Sequence, residues 1–188
     1  MRTVDGSFDL PFERSDGGAL LYLSLGSLGS ADLDLMKRLV DMLSRSPHRV
    51  IVSKGPQHAE YDLADNMWGE ELVPQPALLP LVDLVITHGG NNTTTECFQA
   101  GKPMVALPLF WDQYDNAQRV AETGFGARLP TYELEAHELL GAVDRLLADD
   151  ALGAQLDAVS RELHSKPGTL AAADLIEQIV DGRLVAGR

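Results

Sequence analysis

The chain is poor in cysteine and in basic residues, and it lacks a long apolar run. Its single cysteine, Cys97, cannot form an internal disulfide, which fits a reducing compartment. We therefore expect a cytoplasmic protein. There is neither a signal-peptide pattern nor an apolar run long enough to cross a bilayer, so we expect no direct membrane segment.

The shortage of basic residues limits the partners that the chain can have. Lys and Arg number 15 against 28 Asp and Glu, which gives a formal net charge of -13. Such a charge argues against nucleic acid or an anionic membrane surface as a partner. An anionic ligand would have to be held by local backbone donors. The 188 residues, 45% of them hydrophobic, suffice for one domain with its own core.

Several common site motifs are also missing. The loop Gly26-Ser27-Leu28-Gly29-Ser30 lacks the spacing of a dinucleotide fingerprint and of a P-loop. The sequence contains no G-x-S-x-G elbow, and no Cys and His cluster has metal-binding spacing. We therefore predict no NAD or ATP site, no metal and no resident cofactor.

Short apolar runs alternate with longer amphipathic segments. Residues 1–18 are polar and rich in glycine, which is typical of a linker, and residues 54–69 predict an irregular loop. The alternation predicts an α/β protein with a doubly wound, Rossmann-like parallel sheet flanked by helices. Strands are predicted at 19–25, 49–53, 70–73, 82–87, 104–107 and 127–129. Helices are predicted at 31–44, 77–81, 93–100, 113–123, 135–148, 150–164 and 168–181.

The chain is organised around the stretch that follows the strand at 82–87. His88-Gly89-Gly90 forms a turn, and Asn92 or Thr93 could cap the helix after it. The first amides of a helix have no partner within it, and the helix dipole places partial positive charge there, so a diphosphate fits. Glu96, further along this helix, could accept hydrogen bonds from ribose hydroxyls. Loops at Gly26, Pro74, His88 and 108–113 all follow strands and should share one face.

These motifs together resemble the donor-binding region of family 1 UDP-sugar glycosyltransferases of the GT-B fold. That family includes plant secondary-product enzymes and bacterial macrolide and antibiotic glycosyltransferases. The resemblance covers nearly the whole chain and implies the C-terminal, nucleotide-sugar half of the fold, with residues 1–18 as interdomain linker and residues 19–188 as donor domain. It is carried by Ser24-Leu25-Gly26-Ser27, Val73-Pro74-Gln75, His88-x-Gly90-x-Asn92-Thr93-x-x-Glu96, Gly101-x-Pro103, Pro108 and Asp112-Gln113.

The resemblance implies a role for each matching residue. For the diphosphate it implies Ser27, His88, Asn92 and Thr93. For the base and ribose it implies the backbone at Leu72 and Val73, together with Gln75 and Glu96. For the donor sugar it implies Asn91, Asp112 and Gln113. Leu72 replaces the aromatic residue that stacks on the base in plant members, so uridine and thymidine both remain open.

The resemblance further implies an inverting transfer from a UDP- or dTDP-sugar to an acceptor hydroxyl, without a metal. The catalytic base lies in the N-terminal, acceptor-binding half of the family, so this chain should contain no catalytic residue and be inactive alone. A natural donor-binding subunit of a two-chain glycosyltransferase, a nucleotide-sugar epimerase and a non-enzymatic nucleotide-binding module are the alternatives.

The last helix carries an apolar stripe that has two interpretations. Leu175, Ile176, Ile179 and Val180 recur on one side of it. Ordinary core packing would explain the stripe. The family resemblance implies instead that this helix returns to the other half of the protein.

Overall fold

The computed structural model describes residues 8–12, 18–165 and 168–181. Its strands are β1 (Leu20–Ser24), β2 (Arg49–Ser53), β3 (Met67–Glu70), β4 (Leu84–Thr87), β5 (Met104–Ala106) and β6 (Gly126–Arg128). They form a single parallel sheet in the order β3-β2-β1-β4-β5-β6. This arrangement confirms the predicted Rossmann-like class.

Helices connect the strands and cover both faces of the sheet. Asp32 caps the helix that begins at Leu33 by accepting a hydrogen bond from Leu35 N at 3.1 Å. Short 3-10 turns lie at His58–Glu60 and Leu79–Leu81. The helices are α1 (Gly26–Gly29), α2 (Leu33–Ser44), α3 (Gln75–Leu78), α4 (Asn91–Ala100), α5 (Gln113–Glu122), α6 (Ala136–Leu147), α7 (Asp150–Ser165) and α8 (Gly168–Val180).

Two apolar clusters, one on each face of the sheet, form the core. Side chains alternate along β1, so that Leu21 and Leu23 join the cluster that contains the apolar sides of α2 and α6. Leu20 and Tyr22 join the opposite cluster, together with Cys97 of α4. Since both faces are covered, the central strands β1, β4 and β5 are buried along their whole length, which explains why short continuous apolar runs predicted them.

The direction of winding reverses between β1 and β4. These strands are neighbours, and Ser24 is in register with Thr87. The loops that leave them, at Gly26 and at His88, therefore emerge side by side at the carboxyl edge. In open α/β sheets this switch point is where a ligand binds.

The predicted strand at 70–73 was wrong by three residues, because β3 spans Met67–Glu70. Its position is set by pairing with β2, where Val50 is in register with Met67. A methyl group at Gly69 would overlap the carbonyl oxygen of Val52 in the neighbouring strand. The close approach of the two strands therefore requires glycine at this position, and Gly69 does not break the strand. Val73 is buried after the strand has ended.

Two local expectations about glycine-rich segments also need correction. The loop expected at residues 26–30 contains the single-turn helix α1. Helix α4 begins two residues earlier than expected, and its N-cap is Gly90, so neither Asn92 nor Thr93 is a cap. The reason is that Gly90 adopts an extended conformation (φ -63°, ψ 144°), which turns the chain directly into the helix.

The chain ends differ from each other in how they pack. Residues 1–7 and 13–17 of the expected linker lie outside the described residues, but Phe8, Leu10 and Phe12 pack, partly buried, against the cluster around Tyr22.

Helix α8 contains no buried residue, and the exposed fraction of its stripe residues ranges from 52% at Leu175 to 79% at Val180. Core packing against the described domain therefore does not explain the stripe.

Candidate functional site

A cavity of about 600 Å³ opens at the carboxyl edge of the sheet. Its lining brings together residues from three of the loops that were expected to share a face: Gly26, Ser27, Leu72, Val73, Gln75 and Thr93. They arrive from the ends of β1, β3 and β4. The shared face is thus confirmed for these loops.

The imidazole of His88 lies in a narrow space beside two glycines. A methyl group at Gly26 would lie 2.9 Å from His88 Cε1, and Gly26 also has a φ of +69°. A methyl group at Gly90 would overlap His88 Nε2. Only residues without a side chain fit at both positions, so the ring depends on these glycines for its place.

The same confinement affects the charge of His88. Burial lowers the pKa of His88 below its usual 6.5, although the backbone at Ser24 and the carboxylate of Asp112 act in the opposite direction. The ring is therefore neutral at pH 7. A neutral ring has one N–H donor, for which the backbone at Ser24 and a ligand oxygen would compete.

The amino end of α4 supplies backbone donors beside this ring. The helix hydrogen bonds start with Thr94 N, which donates to Gly90 O at 3.0 Å. The amides of residues 91–93 come before that bond and have no acceptor within the helix. Asn91 and Asn92 are exposed on this first turn, and Thr93 is buried against the cavity. The arrangement suits an anion.

A buried set of polar side chains lies beneath the cavity. The Gln75 amide Nε2 donates to Glu96 Oε2 at 2.6 Å and to Thr93 Oγ1 at 3.3 Å. Tyr22 Oη donates to Gln75 Oε1 at 3.3 Å, and it lies 3.0 Å from Ser53 Oγ. Gln75 and Glu96, both predicted for the ribose, are therefore in direct contact.

Leu72 and Val73 differ in exposure although they are adjacent. Leu72 is 80% exposed on the rim of the cavity, and Val73 is 4% exposed within the core. Leu72 thus offers an aliphatic surface at the rim.

The loop that leads into α5 holds the residues predicted for the sugar. Asp112 is exposed, while Gln113 is buried and its Oε1 accepts hydrogen bonds from Leu109 N at 2.9 Å and Phe110 N at 3.2 Å. The carbonyl half of the Gln113 amide is thus engaged in shaping the loop. Trp111 has a φ of +55°, a left-handed conformation that is uncommon for an aromatic residue.

Asn116 and Tyr22 contribute to the site but were not predicted. Asn116 Nδ2 donates to Gly89 O at 3.0 Å and to Asp112 Oδ2 at 3.1 Å, and so ties the two loops together. No local pattern marks Asn116. Tyr22 could have been noticed, since a tyrosine within a buried apolar strand needs a partner for its hydroxyl.

Other features of the described residues offer no competing chemistry. The Cys97 thiol is fully buried, and burial raises its pKa, so it stays protonated. In residues 8–12, 18–165 and 168–181, no three His, Cys, Asp or Glu side chains form a group that could hold a metal. No helix in these ranges is long and apolar enough to cross a membrane. A second cavity of about 560 Å³, beside Tyr114 and Arg128, is lined by none of the predicted site residues.

Known proteins that this chain resembles are named as sugar-transferring enzymes. Residues 11–170 match the family described as UDP-glucoronosyl and UDP-glucosyl transferase. Demethyllactenocin mycarosyltransferase of Streptomyces fradiae is 30% identical over 168 residues, which are 88% of this chain and 36% of that protein.

Solved structures agree in fold. A glycosyltransferase of kitacinnamycin superposes with a TM-score of 0.84 at 30% identity, covering 95% of this chain and 46% of that one. A spinosyn rhamnosyltransferase complexed with thymidine diphosphate superposes with a TM-score of 0.69 at 25% identity, covering 79% of this chain and 42% of that one. The chain therefore spans less than half the length of each of these three proteins.

Proposed function

Because the chain belongs to the UDP-glucoronosyl and UDP-glucosyl transferase family, we propose that it is the donor-binding half of an inverting glycosyltransferase. It would bind a UDP- or dTDP-sugar, and the complete enzyme would move the sugar to an acceptor hydroxyl. The observation that carries the proposal is the convergence at the switch point of the His88 ring, the amino end of α4 and the Glu96 carboxylate.

The diphosphate would lie at the amino end of α4. The free amides of residues 91–93 and the neutral His88 ring are donors that bind an anion without cationic side chains. This matters in a chain with a net charge of -13. Ser27, on α1 beside the ring, and Thr93 would add hydroxyl donors.

The nucleoside would occupy the cavity between β1 and β3. Glu96 would accept hydrogen bonds from the ribose, and the backbone at Val73 would meet the edge of the base. Leu72 would cover the base with an aliphatic surface, which admits either pyrimidine.

The sugar would extend towards the loop before α5. Asp112 is exposed there and can accept hydrogen bonds from sugar hydroxyls. The Nε2 group of Gln113 would serve as a donor, since its Oε1 is occupied by Leu109 and Phe110. Asn91 would approach the same hydroxyls from the first turn of α4.

In the reaction, the acceptor oxygen would attack the anomeric carbon from the side opposite the nucleoside diphosphate. A bond from carbon to the acceptor oxygen forms as the bond to the phosphate oxygen breaks. The acceptor proton would pass to a base in the N-terminal half of the complete enzyme. The His88 N–H and the α4 amides would stabilise the charge that develops on the departing diphosphate. With these donors in place, we expect binding without a metal.

Calorimetric titration of the chain with UDP, dTDP and NAD, with and without magnesium, tests the proposal. We expect metal-independent binding of UDP or dTDP that weakens about tenfold or more in Glu96→Gln, because hydrogen bonds to charged groups are worth ~1.5–3 kcal/mol. Glu122→Gln, an exposed change at the far end of α5, is the matched control and should leave binding unchanged. Binding of NAD alone, or of no nucleotide, would contradict the proposal.

Incubation of the chain with the sugar donor and a panel of acceptors distinguishes the remaining possibilities. We expect donor binding without release of nucleoside diphosphate, which fits both a single-chain enzyme and a two-chain enzyme. Transfer by this chain alone would show that no other half is required. A changed sugar in the absence of acceptor would identify an epimerase.

A further inference from the structure

Four elements of the fold contribute one side chain each to a buried hydrogen-bonded relay. Ser53 comes from β2, Tyr22 from β1, Gln75 from α3 and Glu96 from α4. Tyr22 is 1% exposed, and Ser53 and Gln75 are each 8% exposed. Only the carboxylate at the end of the relay belongs to the group proposed to touch the ribose.

The Glu96 carboxylate sets the direction of the hydrogen bonds in this relay, because an ionised carboxylate only accepts. Gln75 therefore turns its NH₂ group to Glu96 and its Oε1 to Tyr22, which donates its single hydroxyl hydrogen there. Either hydroxyl of the Tyr22 and Ser53 pair could donate in isolation, but with the Tyr22 hydrogen used, Ser53 donates to Tyr22 Oη. Burial raises the pKa of the Tyr22 phenol, against the hydroxyls of Ser24 and Ser53, so the phenol keeps this hydrogen at neutral pH.

The Glu96 carboxylate therefore also fixes the orientation of the Gln75 amide. Its NH₂ group donates to Glu96 Oε2 at 2.6 Å, and Tyr22 satisfies the Oε1 that this orientation turns towards the core. A flipped amide would set its carbonyl oxygen against the carboxylate, and that contact would be repulsive.

The orientation in turn determines what Gln75 and Glu96 can offer a ligand. Both hydrogens of Gln75 Nε2 are engaged, with Glu96 and with Thr93 Oγ1. Gln75 therefore has no spare donor for a ribose oxygen. Within the described part of the chain no residue donates to Glu96 Oε1, so this oxygen is free to accept a ligand hydroxyl.

We propose that Tyr22 and Gln75 are positioning residues, which orient the Glu96 carboxylate and thereby set the preference of the site for a nucleotide that carries ribose hydroxyls. The inference rests on the proposed nucleotide-binding function and extends it from the contact residue to the buried side chains behind it. Removing the Tyr22 hydroxyl should therefore weaken only the contacts that the site makes with the ribose hydroxyls.

The test compares two ligands on the full chain by calorimetry. One ligand is UDP or dTDP, whichever binds more tightly. The other is its 2′,3′-dideoxy counterpart, which lacks the ribose hydroxyls. We expect the wild type to prefer the first by about tenfold. Tyr22→Phe should reduce this preference about threefold or more and leave the affinity for the second ligand within a factor of two. Tyr132→Phe is the matched control, because it removes a phenol hydroxyl that donates to Asp32 outside the cavity, and it should preserve the preference.

The possible outcomes distinguish the positioning role of Tyr22 from the proposed nucleotide-binding function. If Tyr22→Phe weakens both ligands equally, or changes neither, the positioning role is wrong. If the wild type binds neither ligand, or binds both equally, the proposed function or the ribose role of Glu96 fails first. Should Tyr22→Phe not fold, as judged by circular dichroism, Ser53→Ala removes the first donor of the relay and is judged by the same criteria.

Discussion

The two ends of the candidate site are built in opposite ways. At the nucleoside end, Tyr22, Gln75 and Glu96 are joined by hydrogen bonds that begin in the core. At the sugar end, Asp112 is exposed at the surface and accepts a hydrogen bond from the neighbouring Asn116. Glu96 is thus fixed from the interior of the domain, whereas Asp112 lies on an exposed loop.

This difference shows in which part of the site ligand binding and folding stability depend on the same side chains. A side chain that is held by buried partners is preorganised for a ligand, but its loss leaves those partners unsatisfied. An exposed side chain can be exchanged with little effect on the fold. Substitutions at the nucleoside end should therefore affect both stability and binding, and substitution of the exposed Asp112 should affect binding alone.

Gln75→Leu should give the largest loss of stability. It leaves the Tyr22 hydroxyl and the Glu96 carboxylate without their shared partner, and a buried unsatisfied polar group costs ~1–3 kcal/mol. We expect the free energy of unfolding to fall by about 2–3 kcal/mol. Urea denaturation followed by circular dichroism measures it. An unchanged midpoint would show that the nucleoside end is not fixed by the core.

Gly90→Ala should have the next largest effect, on stability and on diphosphate affinity together. Its methyl group overlaps His88 Nε2, and alanine is a poorer N-cap than glycine. We expect a loss of about 1–2 kcal/mol, typical of overpacking, and weaker UDP binding.

Gly153→Ala is the matched control for this change. It lies in α7 with no atom near the added methyl, so it should raise stability by ~0.5–1 kcal/mol, because alanine favours a helix over glycine. Equal effects at the two glycines would refute the role of Gly90.

The pH dependence of stability should show a smaller contribution from His88. Its folded-state pKa lies below 6.5, so the unfolded chain binds the proton more readily as the pH falls. The stability that this pKa shift contributes is complete above pH 6.5 and is lost as the pH falls through the folded-state pKa. We expect wild type to lose more stability than His88→Gln between pH 7.5 and 5 in urea denaturation series. Parallel curves for the two proteins would contradict the burial of the ring.

Asp112→Asn should have the smallest effect on the fold. The side chain is exposed, and the amide that replaces it can still accept from Asn116. We expect the free energy of unfolding to change by less than ~0.5 kcal/mol. The same urea experiment checks this, and a loss as large as that of Gln75→Leu would remove the contrast between the two ends.

Much of the architecture could be predicted from the sequence because its signals are local. The apolar run at β1 and the glycine turn after β4 each act through neighbouring residues. The position of β3 could not be predicted this way, because its apolar content is low and its bounds follow from pairing with β2.

In the candidate site, too, some features could be predicted from the local sequence and others could not. The glycines around His88 are visible in the sequence, since a turn between a strand and a helix requires them. The engagement of Gln75 by Tyr22 is not visible, because 53 residues separate the two side chains. Their contact depends on β1 and α3 meeting at one edge of the sheet.

The sequence by itself determined the alternation of strands and helices, the parallel sheet and the glycine turn that precedes α4. These follow from side-chain periodicity and backbone freedom, which act within a few residues. Only the tertiary structure decided that β1 and β4 are neighbours and that Tyr22, Gln75 and Glu96 form one relay. Strand order and buried hydrogen bonds depend on which distant segments cover each other's apolar surface, and that is a property of the whole chain.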